Sequence, residues 1–362
     1  MSADDAAETA ETAETAETAE TAEVAEADTA TEAIQAIEAI EANEANEANE
    51  ANEANEVNEA NEVDKATKAD EAAAVRGFWQ ALGLPGLIDV HTHFMPKNVL
   101  DKVWAYFDLA GPLVNRPWPI TYRVAEAERV ERLREFGVRA FTSMLYPHKP
   151  GMAVWLNAWA ADFAARTPDC LHTATFFAEP EAPGYVARAV EDGARVFKAH
   201  LQVGGYDPTD RRLDAVWGLL AETGTPVVTH CGSGPVAGKF TGPGPIGEVL
   251  DRHPGLVLVV AHLGMSEYRD FLDLAERHPS VRLDTTMAFT DFVEADDPFP
   301  RSELPRLRAL QDRVLLGSDF PNIPYRYVHQ LEALAGLGLG EEWLRAVCHD
   351  NAAALFVLTP KG

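Results

Sequence analysis

LIDVHTH at 87–93 is the stretch on which the reading of this chain turns. An apolar run closes on two histidines one residue apart. Side chains alternate along a β-strand, so His91 and His93 are expected on one face, the inside of a barrel. Seven more apolar runs follow, at 138–146, 171–178, 194–202, 226–232, 256–264, 281–287 and 314–320. Amphipathic segments such as 125–136, 213–222 and 267–278 fall between them. Two connections, DRHPGLVLV at 251–259 and ERHPSVRLD at 276–284, each end a helix at His-Pro before a strand begins. Eight alternations of strand and helix predict an α/β fold, a distorted (β/α)8 TIM barrel.

The strand ends carry the chemistry. The fifth run ends at His230, the sixth at His262 and the eighth at Asp319. Active sites of such barrels form at this C-terminal rim. Three imidazoles and a carboxylate there make a ligand set for Zn²⁺ or a similar divalent ion. A lone strand-end histidine is ordinarily structural, and His172, His253, His278, His329 and His349 are read that way. An HxH followed by two strand-end histidines and a strand-end aspartate is too ordered a series for that explanation.

Charge divides the chain. The 362 residues carry a formal charge of −28, and Met1 to Val75 hold 23 acidic residues against two lysines. Residues 8–23 repeat ETA and 41–62 repeat EAN, a period of three that builds no lasting apolar stripe on a helix. Residues 1–75 are expected to be a disordered or fluctuating helical acidic tail, without a chemical role, before a barrel at 76–362. The body is only mildly acidic, which excludes a nucleic-acid partner. No apolar run approaches the ~20 residues of a membrane span. Cys170, Cys231 and Cys348 are widely spaced and form no CxxC, which with the absence of a leader-like N-terminus predicts a cytoplasmic protein. The expected partner is a small-molecule substrate, with homodimerisation left open.

The glycine-rich run CGSGPVAGKFTGPGPIG at 231–247 fails two motifs. Ser233 stands where a phosphate loop needs its first glycine, and Cys231 where a nucleophile elbow needs one. It is read as a loop shaping the site's mouth, with Cys231 packed inside.

Taken together, IDVHTH (88–93), VFKAH (196–200), PVVTHCG (226–232), VVAHLG (259–264), LLGSDFP (315–321) and DNAAALF (350–356) resemble the amidohydrolase superfamily. The resemblance is to its amidohydrolase-related branch, which includes amino-carboxymuconate-semialdehyde decarboxylase. It implies one divalent metal, zinc or else manganese, held by His91, His93, His230 and Asp319. It also implies that His262 orients the reacting water and substrate, and that Asp319 takes the water's proton. In two-metal branches a strand-four lysine is carboxylated and bridges the ions; Lys198 could do so, but the pattern is closer to the one-metal branch. Lys198 and His200 then touch substrate. Loops at 94–121, 146–151 and 288–300 are expected to close the pocket, with Trp104, Tyr106, Phe107, Trp118, Arg116, His148 and Lys149 suited to a flat acid. The leading expectation is metal-dependent hydrolysis of a C–N or C–O bond in a small carbonyl compound such as an amide or lactone. The alternative is non-oxidative decarboxylation of a small unsaturated or aromatic acid.

Overall fold

The computed structural model describes residues 67–111, 114 and 116–358, so the ETA and EAN repeats lie outside the described residues. The described residues from Asp70 onward form one compact unit. Its strands are β1 (Leu87–Asp89), β2 (Val138–Thr142), β3 (Cys170–Leu171 and Thr173–Thr175, interrupted at His172), β4 (Val196–His200), β5 (Val227–His230), β6 (Leu258–Val260), β7 (Arg282–Asp284) and β8 (Val314–Leu315). Each lies inside one of the eight apolar runs, except that β3 begins one residue early, at Cys170. Neighbours in the chain pair in parallel from β1 through to β8. Past the end of β8 the chain returns to β1: Val90 N–H donates to Leu316 O at 2.9 Å, and His93 N–H to Phe320 O at 2.7 Å. That seam closes the barrel.

Two apolar layers explain the alternation. Ile88, Val90, Ala140, Val196, Val228, Val259 and Leu315 fill the barrel's interior, with Ala352 and Phe356 closing one end. Phe197, Ala199, Val227, Leu258, Val260, Leu283 and Val314 face outward and pack under the helices. Both faces of every strand are therefore buried, which is why the runs are continuously apolar. Helices Glu126–Phe136, Asp214–Thr223 and Tyr268–Arg277 fall within a residue or two of the expected amphipathic segments. Among the described residues no helix is long and apolar enough to cross a membrane.

The stretch expected as a loop at 94–121 contains a 13-residue helix, Lys97–Leu109. Read for its aromatics, the segment hid a helical stripe. Val99, Leu100, Val103 and Trp104 recur at i, i+4 spacing and pack on Met95, Leu145, Met152 and Leu156. Lys97 and Asp101 pair one turn apart at 2.7 Å.

Residues 70–81 are helical across the expected tail boundary at residue 75. Ala72 and Val75 are buried in the main core. Glu71 accepts a hydrogen bond from Tyr122 Oη at 2.6 Å, and that oxygen accepts from Tyr327 N–H at 2.7 Å. Losing a buried valine and a buried carboxylate–hydroxyl bond costs about 3 kcal/mol together. A chain beginning at residue 76 is therefore expected to melt at least about 5 °C below one beginning at residue 70, measured by calorimetry.

Candidate metal centre and active site

The rim residues converge because β1 and β8 are tied together at one carboxylate. Asp89, fully buried, accepts His91 N–H at 3.1 Å, Ser318 N–H at 3.2 Å, Ser318 Oγ–H at 2.5 Å and Tyr327 Oη–H at 2.9 Å. The bond from His91 bends the chain just past β1. Simple alternation, with Ile88 and Val90 inward, would have sent His91 out of the barrel; the bend returns both histidines to the rim. Their ring centroids lie 5.2 Å apart. Gly317 runs so close to β1 that an added Cβ would stand 2.9 Å from His91 Cβ.

Backbone carbonyls and carboxylates fix the tautomers. His91 Nδ1–H donates to Asp284 Oδ2 at 2.9 Å, and His93 Nδ1–H to Met144 O at 2.6 Å. His262 Nδ1–H donates to Thr286 O at 3.1 Å. Each of these rings is left with an Nε2 facing the site. His230 is turned the other way: Nε2–H donates to Gly234 O at 3.1 Å, leaving Nδ1 as its lone-pair nitrogen. Its ring stacks on His200, its in-register neighbour, with centroids 4.2 Å apart and a 7° interplanar angle.

Asp319 sits against this ring of nitrogens. Its Oδ1 lies 2.8 Å from His93 Nε2 and 3.7 Å from His91 Nε2. One ligand atom from each of His91, His262 and Asp319 lies within 4.8 Å of the other two. Asp319 and His262 both adopt left-handed backbone, φ 73° and 56°. For residues other than glycine that conformation costs about 1–2 kcal/mol, and the bonds Asp319 N–H to His91 O and His262 N–H to Asp284 Oδ1, both 2.9 Å, hold it in place.

Electrostatics set the same pattern. Burial, reinforced by the Lys198 cation, pushes His91 down to about 3. Burial and then neighbouring rings push His200 and His230 well below the usual imidazole range, and burial lowers His262 as well. Burial alone would raise the Asp319 carboxyl, but the contact with His93 holds it well below its ordinary range. Asp284 is held low in the same way by His91. Lys198, wholly buried with Nζ 2.9 Å from His91 Nε2, is lowered by desolvation to about 8. Neutral imidazole lone pairs around an ionised carboxylate are the protonation states that a cation needs. His93 Nε2 and Asp319 Oδ1 lie 2.8 Å apart, close enough for a proton or a cation to bridge them. The donor set fits a divalent ion.

These groups form the floor of a cavity of about 1080 Å³. The expected lining residues Lys198, His200, Arg116 and His148 all reach it. Arg116 is already engaged, however. Its guanidinium pairs with Asp296, donates to Phe292 O and lies over the Phe292 ring. Cys231 is buried, and burial pushes its thiol up, which suits packing rather than nucleophilic duty. His329 pairs with Asp291 at 2.8 Å and His349 with Asp350 at 3.0 Å, both away from the floor. Sequence reasoning passed over Asp89 and Asp284. Asp284 stands in the middle of the seventh apolar run, 281–287, and only the fold places it at the end of β7.

A family model described as amidohydrolase matches residues 88–358, and the chain belongs to that family. Among solved structures, an uncharacterised TIM-barrel protein from Bordetella bronchiseptica aligns with TM-score 0.58 and 18% identity over 75% of this chain and 99% of that one. A 2,6-dihydroxybenzoate decarboxylase, complexed with 2,6-dihydroxybenzoate, aligns with TM-score 0.54 and 16% identity over 76% and 100%. A protein assigned as a 2-pyrone-4,6-dicarboxylic acid hydrolase from Pseudomonas putida aligns with TM-score 0.51 and 18% identity over 76% and 98%. At these identities the likeness shows the TIM-barrel fold. No curated protein matches the sequence.

Asp284 orients His91 through its Nδ1–H and His262 through its backbone, so it bears on two rim histidines at once. Asp284→Asn is expected to weaken divalent-ion binding by about 10–100-fold, measured by competition with a chromophoric chelator.

Proposed function

We propose that the protein is a metal-dependent hydrolase of a C–N or C–O bond in a carbonyl compound such as an amide or lactone. The observation that carries this reading is the ionised Asp319 among imidazole lone pairs at the floor of an open cavity. His91, His93 and Asp319 would hold one divalent ion, with zinc or manganese fitting the nitrogen and oxygen donors. His230 would join them through the nitrogen that its bond to Gly234 O leaves free. Such an ion would polarise a carbonyl and acidify water.

The chain's own groups complete the reaction. Asp319 accepts a proton from the attacking water as its oxygen bonds to the carbonyl carbon. The same carboxyl returns the proton to the departing nitrogen or oxygen when the C–N or C–O bond breaks. His262, whose Nδ1–H is committed to Thr286 O, meets the water as an acceptor through Nε2. Neutral in that tautomer, it lacks a proton for a developing oxyanion. Lys198 is the buried donor for that charge.

Elemental analysis should find about one ion per chain, lowered in Asp319→Ala and retained in Lys198→Ala. Asp319→Asn should lower turnover by about 10²–10⁴-fold. In oxygen-18 water the label should enter the acid product. Carbon dioxide released without label incorporation would make the protein a decarboxylase instead, and two ions per chain with one lost in Lys198→Ala would indicate a carboxylated lysine.

A further inference from the structure

The cavity changes character away from its floor. Titratable groups crowd the bottom, whereas helix 97–109 turns Val99, Val103 and Phe107 toward the space at i, i+4, i+8 spacing. Trp118 and Phe292 continue the wall. The Phe107 and Trp118 ring centroids are 5.0 Å apart, and those of Trp118 and Phe292 4.9 Å. At the mouth the wall runs out into Tyr106 and Trp155, large apolar side chains 49% and 45% exposed. The space, about 1080 Å³, is at the upper end of the ~300–1,000 Å³ that holds drug-sized ligands. A single-ring acid would leave much of it unfilled.

The wall is fastened to the reacting end. Trp118 Nε1–H donates to Asn322 O at 2.7 Å and Trp104 Nε1–H to Asn322 Oδ1 at 3.0 Å, while Asn322 N–H donates to Asp319 O at 2.8 Å. The aromatic face and the Asp319 carboxylate therefore hold a set spacing, as a site that clamps a body while a head reacts requires.

Charge decides the chemistry of that body. Arg116 is neutralised by Asp296, and Asp297 faces Ser266. Among the described residues the cavity's other cations outside the floor, Lys102 and Lys149, are exposed at its mouth. A carboxylate on the buried body would lose its hydration against apolar rings, beside Asp297, which no cation among the described residues neutralises there.

Resting on the reading of the floor as a metal-dependent carbonyl site, we propose that the non-reacting part of the substrate is a neutral apolar or aryl body. The residues that select it are Val103, Phe107, Trp118 and Phe292.

The test varies head and body separately. Zinc-loaded full-length protein is titrated calorimetrically with acetohydroxamate, benzohydroxamate, 4-phenylbenzohydroxamate and 4-carboxybenzohydroxamate, and with the matching amides, which lack the chelating head. Each added ring is expected to tighten binding about tenfold in the hydroxamate series, and in the amides where their binding is measurable. The terminal carboxylate should reverse the gain. Phe107→Asp should abolish the gain per ring and Phe107→Leu should keep part of it, a contrast that general misfolding would not produce. Binding independent of ring number, or tightest for the carboxylate, overturns the proposal. Hydroxamates no tighter than amides would count against the metal floor alone, while the gain per ring still decides the body.

Discussion

The seam between the last strand and the first is the constraint on which the rim depends. A barrel closes only if its final strand finds its first, and here the closing bonds run directly through the segments that carry His91, His93 and Asp319. Asp89 gathers both segments on one buried carboxylate, bending the first and capping the second. Burial pushes that carboxyl up to about 7 even with four donors around it, so the network spends stability to hold geometry. The positive φ of Asp319 belongs to the same construction: a strained residue persists because its neighbours over-determine it. Folding and the assembly of the site are one event at this seam.

Inside the rim the organising problem is charge without water. Three buried histidines present Nε2 to a carboxylate held ionised, and a buried lysine touches one of them. Burial disfavours protonated rings at His91 and His262, so these two leave the carboxylate short of counter-charge. Lys198 supplies one cation, at His91 Nε2. The His93–Asp319 contact marks where a second positive charge, a proton or a divalent ion, completes the balance.

Much of this was legible in the residues and some was not. The eight strands could be read because strands buried on both faces are unbroken apolar runs, and every one of those runs holds its strand. The HxH and the strand-end His262 and Asp319 could be read because an ordered series is hard to produce by chance. The reason offered for His91 was incomplete, since alternation alone would have sent it outward and an Asp89 side-chain bond reverses it. That bond joins residues two apart but matters only through Ser318, 229 positions away. Asp284 was overlooked for a similar reason. One aspartate at a strand end has no signature until the fold sets it under His91. The helix at 97–109 leaves a weak trace because its apolar stripe, Val99, Leu100, Val103 and Trp104, is followed at once by Tyr106 and Phe107, which blur the period. The side-chain flip of His230, fixed by Gly234 O, depends on a loop whose course no local pattern specifies.

The parts missed and the parts read divide along a physical line. The groups proposed to perform chemistry sit at or just past strand ends, and the apolar faces and fixed period of those strands constrain the sequence strongly. Groups that choose the substrate sit on the insertions after β1 and β7, where the requirement is only a surface of suitable shape and polarity. Many sequences satisfy such a requirement, so the wall leaves a weak trace although it lines one side of the cavity. Arg116 shows the consequence. As a residue type it suggests an anchor for an acid, but placed between Asp296 and the Phe292 ring it braces the wall instead. A bidentate cation already paired and stacked has little to offer an incoming carboxylate. Selectivity at this site therefore follows from what the insertions bury, and the reacting groups on the barrel can stay unchanged while the wall is rebuilt around a different body.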